Sequence, residues 1–189
     1  MRLNNAKLLP VVVMTLILSA CGGGGGGGSG TDTGTAGSPG TVASIMITPA
    51  QETIKKGQTI SRTVEIENAD NAFYAAFDIL YNPAVLQFVN AKEGGFMDNG
   101  GADATSMQAV LQSNTTVQSG VSLKRITIGL TRLGQIGGVS GSGTLVSVTF
   151  FAIGNGQSPI MISTPRGIKD MNNQEIAVNT WQDATVTVQ

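Results

Sequence analysis

Phe73-Tyr74-Ala75-Ala76-Phe77-Asp78-Ile79-Leu80-Tyr81-Asn82-Pro83 is the stretch that decides the fold of this chain. Phe73, Ala75, Phe77, Ile79 and Tyr81 share one face at a period of two, and Tyr74, Ala76, Asp78 and Leu80 share the other. That period belongs to a strand with one buried side. Asn82-Pro83 ends it, because proline has no amide hydrogen to give a ladder and its ring fixes φ.

The same period recurs on both sides. Val64 and Ile66 alternate with Thr63, Glu65 and Glu67, and Leu86 to Ala91 form a short strand before Glu93-Gly94-Gly95. Ile126, Ile128 and Leu130 alternate with Arg125, Thr127 and Gly129. Val146, Val148, Phe150 and Ala152 alternate with Ser147, Thr149 and Phe151, and Ala184 to Val188 close the series. Met107, Val110 and Leu111 fit either a helical turn or a strand, and the strand is preferred. Breakers fall at Asn68 to Asn71, Asn99-Gly100-Gly101, Gly137-Gly138 through Gly143, Gly154-Asn155-Gly156 and Asn172-Asn173. Many short strands with frequent turns predict an all-β antiparallel sandwich. Alternation in place of continuous apolar runs argues against a parallel sheet.

The first 41 residues are of another kind. Arg2 and Lys7 precede an apolar run of 11 residues, Leu8 to Leu18, which is shorter than the roughly 20 needed to span a bilayer. Leu18-Ser19-Ala20-Cys21 holds the single cysteine and resembles the lipobox of bacterial lipoproteins. The resemblance implies cleavage after residue 20, lipidation at Cys21 and attachment to a membrane. The other reading is an ordinary secretory peptide. Gly22 in place of Asp after the cysteine implies, by lipoprotein sorting, the outer membrane of the cell envelope if the cell is Gram-negative. Residues 22–40 hold 11 of the 26 glycines among Ser, Thr and Pro. Such a tract buries no apolar surface, so it reads as a flexible tether with a root-mean-square reach of roughly 25 Å. The expected organisation is therefore a signal peptide over 1–20, lipidated cysteine and tether over 21–41, and one domain over 42–189.

Charge narrows the partners. Arg2 and Lys7 leave with the signal, so of the 11 Lys and Arg nine face 12 Asp and Glu, and the mature chain carries about −3. No basic patch of the kind nucleic acid requires is present in the sequence. There is no histidine, and the one thiol is consumed by lipidation, so the commonest general base and the Ser-His-Asp arrangement are missing. Glu65 and Glu67 share a strand face and read as a solvated surface rather than a catalytic pair. Asp98, Asn99 and Asp103, or Asp170, Asn172 and Asn173, offer oxygens to a structural Ca²⁺, but turn chemistry accounts for the same residues. A protein that is not an enzyme and carries no cofactor is expected.

Three segments, in order, resemble cohesin domains. Tyr81-Asn82-Pro83-Ala84-Val85-Leu86 is similar to the family's Y-[DN]-P-x-x-L motif, and Gly141-Ser142-Gly143-Thr144-Leu145 through Val148-Thr149-Phe150 to its G-x-G-x-L-x-x-[VIL]-x-F segment. Ile168-Lys169-Asp170-Met171-Asn172-Asn173-Gln174-Glu175-Ile176 resembles its late D-x-[DN]-x-x-I hairpin. The resemblance covers roughly residues 43–188. It implies a jelly-roll sandwich of about nine strands that binds dockerin modules through one sheet face. The family's contact positions fall here on Tyr74 and Ala76, then Asp78 and Leu80.

The functional expectation is a lipid-anchored module that captures a dockerin-like protein through a face bearing Tyr74, Asp78, Arg125 and Thr127. One alternative is carbohydrate binding in polysaccharide catabolism, with pyranose rings stacked on Tyr74 and Trp181. Another is a structural envelope lipoprotein that assembles with copies of itself, for which the chemistry of the edge strands would discriminate.

Overall fold

The alternation over Tyr74–Tyr81 is realised as a strand whose inward side chains are buried, and eleven further strands assemble around it. The computed structural model describes residues 42–189. Cys21, the signal segment and the tether lie outside them. The chain runs β1 (Ala43–Thr48), β2 (Gln51–Ile54), β3 (Thr59–Ala72), β4 (Tyr74–Tyr81), β5 (Leu86–Glu93) and β6 (Thr105–Gln118). It continues through β7 (Val121–Arg132), β8 (Val139–Ala152), β9 (Gly156–Lys169), β10 (Glu175–Ile176), β11 (Val178–Gln182) and β12 (Ala184–Val188).

Two sheets face each other. One has the order β11-β1-β3-β8-β5, and the other β2-β12-β9-β4-β7-β6 with β10 paired to β9. Inward residues of both, among them Ile45, Val64, Ile66, Phe77, Ile79, Val148, Phe150, Ile160 and Val186, form one continuous core. Alternating strands must bury their apolar side, and two such sheets do so against each other. Among the described residues this core runs from Ile45 to Val188.

Twelve strands stand where about nine are expected. The additional ones include the short elements β2, β10 and β11, of 4, 2 and 5 residues, which are too brief to show a period. β9 also lacks a clear signal, since Pro159 and Pro165 interrupt it, and proline is depleted from central strands. It nevertheless lies between β12 and β4, with a register shift between Ser163 and Gly167 that takes up Pro165. Asn68 and Asn71, expected to end a strand, adopt φ of 54° and 58° within β3 and sit at its register shifts against β8. They bulge the strand instead of breaking it, as asparagine in the left-handed region allows.

The sandwich is not wholly antiparallel. The chain crosses from one sheet to the other between β1 and β2, and again at Asp183 between β11 and β12. The two crossing segments run side by side, so β1 pairs β11 and β2 pairs β12 in parallel. Thr185 N–H donates to Ala50 O at 2.8 Å, and Ile162 N–H to Asp183 Oδ1 at 2.8 Å, which fixes both corners.

The Asn-Pro segment after β4 explains its motif. Asn82 Oδ1 accepts the Ala84 amide at 3.0 Å while Leu86 N–H returns to Asn82 O at 3.0 Å. Tyr81 packs on Phe150 with ring centroids 5.1 Å apart. Gly154 lies against the Ala84 carbonyl so closely that any Cβ would strike it, so the turn admits only glycine there.

Candidate binding site

The outward side of the seven-stranded sheet reads as rows across β9, β4, β7 and β6. Lys169, Tyr74, Thr131 and Ser106 make the first row, and Gly167, Ala76, Gly129 and Gln108 the second. Ser163, Asp78, Thr127 and Val110 make the third, with Leu80 opposite Arg125 beyond them. The second row has almost no side chain in three of its four places. A shallow hollow of about 320 Å³ opens over it, walled by Tyr74, Thr131, Ser106 and Gln108.

Tyr74 is 39% exposed and stands where this hollow meets two others. Phe73 holds its ring edge-on at 4.9 Å. On its far side a second hollow is lined by Leu133, Ile136 and Met171, and both Leu133 and Met171 are exposed. The third contains Arg166, Lys169 and Glu175. Tyr74 is thus an amphipathic ring at the junction of an apolar floor and a charged border.

The other half of the face is closed. Asp78 is only 1% exposed, and its Oδ2 receives Arg125 Nη1 at 3.0 Å. Leu80 and Leu123 are buried outside the main core, so they form a covered patch on the outward side. Gln112 Nε2 reaches across from β6 to Thr127 Oγ1 at 3.2 Å. The expectation that Asp78 is offered to a partner is therefore corrected: it faces outward, but Arg125 and its neighbours cover it. Arg125 spends its charge on Asp78, and Thr127 is half-buried under Gln112. Of the four predicted contact residues, Tyr74 alone is freely presented.

The weaker candidates have local duties. Asp98 Oδ1 accepts the Gly100 amide at 3.1 Å, and Asp103 pairs with the buried Arg132 at 2.6 Å. Asp170 Oδ1 accepts the amides of Asn172 at 2.9 Å and Gln174 at 2.8 Å. Asn99 and Asn173 take left-handed turn positions. These carboxylates shape turns, and Asp103 is paired with a cation, Arg132. Among the described residues no three acidic, histidine or cysteine side chains converge. Glu65 and Glu67 lie on the outer side of β3, with Glu67 exposed.

Trp181 is on β11, in the opposite sheet from Tyr74. One side of it packs on the core, and the Arg166 guanidinium lies 4.8 Å from its ring centroid. The two aromatic rings are therefore not presented as one sugar platform. Sequence reading missed Gly167 and Leu133, and gave Gly129 and Met171 no role in the site. The available signal was Gly129 itself, since a glycine inside an alternating strand marks a place where something approaches the backbone.

The cohesin domain family matches residues 45–188. Among curated proteins none matches this chain in sequence. Among solved structures, the fold is similar to a non-cellulosomal cohesin from the hyperthermophilic archaeon Archaeoglobus fulgidus. The two are 21% identical with a TM-score of 0.54, over 78% of this chain and 91% of that one. It is similar as well to a chain of a type I cohesin–dockerin complex from Clostridium thermocellum, at 15% identity and a TM-score of 0.57, over 78% and 99%. A chain of a type II cohesin-X-dockerin complex from Acetivibrio cellulolyticus gives 16% identity and 0.57, over 78% and 99%. With the motif at the end of β4, the glycine segment opening β8 and the β9–β10 hairpin all in place, this chain belongs to the cohesin domain family.

Proposed function

We propose that this domain is a binding module that captures a dockerin-like protein through the open half of its β9-β4-β7-β6 face. The observation that carries the reading is Tyr74, an exposed aromatic over a hollow floored by Ala76 and Gly129. Aromatic rings in such places anchor partners because they bury large area with few rotatable bonds. Membership of the cohesin family supports a protein ligand, and solved relatives are held in complexes with dockerins. With the Asp78 carboxylate closed off, the partner is held chiefly by apolar contact and by Lys169, Arg166 and Glu175 at the border. A partner outside the cellulosome is in keeping with the archaeal relative, itself a non-cellulosomal cohesin.

The Cys21 context supports a lipid-anchored module at the cell envelope, in the outer membrane if the cell is Gram-negative, with residues 22–41 as the leash. The role is capture, not turnover. Titration of the soluble chain against dockerin modules by calorimetry tests the reading, with cellulose, chitin and xylan sedimentation in parallel. Saturable dockerin binding that Tyr74→Ala weakens at least tenfold supports it. Sedimentation with a glycan and no protein binding overturns it in favour of carbohydrate recognition. Cys21→Ser tests the anchor: the protein then leaves the membrane fraction.

A further inference from the structure

β6 is the outermost strand of the seven-stranded sheet and, at 14 residues, the longest strand at any sheet edge. A sheet edge presents unpaired backbone donors and acceptors, and proteins ordinarily guard it with charge, proline, bulges or shortness. The other three edges are guarded. β2 has four residues, with Glu52 within it and Lys55 and Lys56 just after. β5 carries Lys92 and Glu93 and a register shift between Phe88 and Asn90. β11 has five residues and an irregular register with β1.

β6 has none of these devices over its first half. From Ala104 through Leu123, twenty residues, the sequence contains no charged residue and no proline. The register shift against β7 falls only between Leu111 and Thr115. Glu93 of β5 reaches the strand only at its start, where it accepts the Thr105 hydroxyl at 2.9 Å, which leaves Ser106 to Leu111 as a regular open edge. Val110 and Leu111 lie there 49% and 41% exposed.

We propose that this edge pairs with the same edge of a second copy of the chain, antiparallel and about a two-fold axis, joining the two seven-stranded sheets into one. Identical edges normally repel through their own charges, and here there are none to oppose each other. An isologous seam is self-complementary and closes at two copies, since among the described residues it consumes the one long unguarded edge of each copy. A seam over Ser106 to Leu111 is roughly 20 Å long. A single strand pair is a small contact beside the roughly 1,200 Å² of stable interfaces. The dimer is therefore weak and concentration-dependent. Tyr74 stands two strands in from the seam, although Ser106 and Gln108 of β6 wall the hollow beside it. A monomeric chain that still binds dockerin sinks the pairing alone.

Sedimentation velocity on the soluble chain from residue 22, from about 10 μM to about 1 mM, tests the proposal. The weight-average mass is expected to climb toward twice the monomer, and Leu111→Lys to return it to the monomer throughout. Hydrogen exchange on the same samples reads the edge directly: amides of residues 106–111 gain protection as concentration rises, and those of β2 and β11 do not. A mass that stays monomeric over the whole range overturns the proposal. So does a dimer that Leu111→Lys leaves intact while the variant keeps the wild-type melting temperature, or growth beyond two copies.

Discussion

At the scale of single residues, the sharpest contrast lies between Tyr74 and its strand neighbour Asp78. Both point away from the core, yet one is open and the other is sealed beneath Arg125. Tyr74→Ala should cost at least tenfold in partner affinity and less than about 0.5 kcal/mol in stability, the usual range for an exposed position. A urea titration beside the calorimetry separates the two. Arg132 is the opposite case. It is buried, pairs with Asp103, and donates to the carbonyls of Met97 and Gly137, tying two loops together. Arg132→Met leaves those acceptors without a donor and should cost about 3 kcal/mol, read as a shift in the urea midpoint. Tyr81 has a pKa raised by burial, an effect that a hydrogen bond with the Phe88 backbone partly offsets. The folded state thus keeps its proton where the unfolded chain, near its ordinary value of 10, begins to lose it. Stability from this group is complete below about pH 10 and falls as pH rises through the folded value. Tyr81→Phe should flatten the alkaline decline of the melting temperature.

At the scale of elements, the open trough comes from the pairing of Ala76 with Gly129, flanked by Gly167. Gly129 is not at a positive φ, and a Cβ built there meets nothing within 4 Å. Gly129→Val should therefore stabilise the domain by about 0.5–1 kcal/mol while filling the hollow and weakening partner binding. A rise in melting temperature with binding unchanged would move the contact surface away from this row. β4, the middle of β3, β8 and β12 were legible in the sequence because each alternates cleanly over four or more residues. β9 was not, since its prolines mimic a loop and its place in the sheet depends on long-range pairing with β4 and β12. The β6–β7 hairpin was only half visible. Its two-residue turn, Ser119-Gly120, has positive φ at both positions, and serine there gives little local signal. The site was legible to the same degree. Alternation told which way Asp78 points, but only the fold could tell that Arg125 and Gln112 close over that half of the sheet.

At the scale of the whole molecule, the feature with the widest reach is the way β1 is held. It lies between β3, antiparallel over Ser44 to Thr48, and β11, parallel over Ala43 to Met46. Residues 21–41 precede this strand in the sequence at its Ala43 end, and the face proposed to take a partner is built on the other sheet. A partner held on that face and dragged by flow would pull on the domain against the proposed leash. A load applied along the axis of β1 runs across its hydrogen bonds to β3 and β11, so both ladders must shear together instead of opening one bond at a time. Ile45 and Ile47, buried from the same strand, would have to leave the core in the same event. Stretched from residue 42 in a single-molecule experiment, the domain should yield in one step, without β1 peeling away beforehand. The strand nearest the leash would then set how hard a partner can be pulled before the domain gives way.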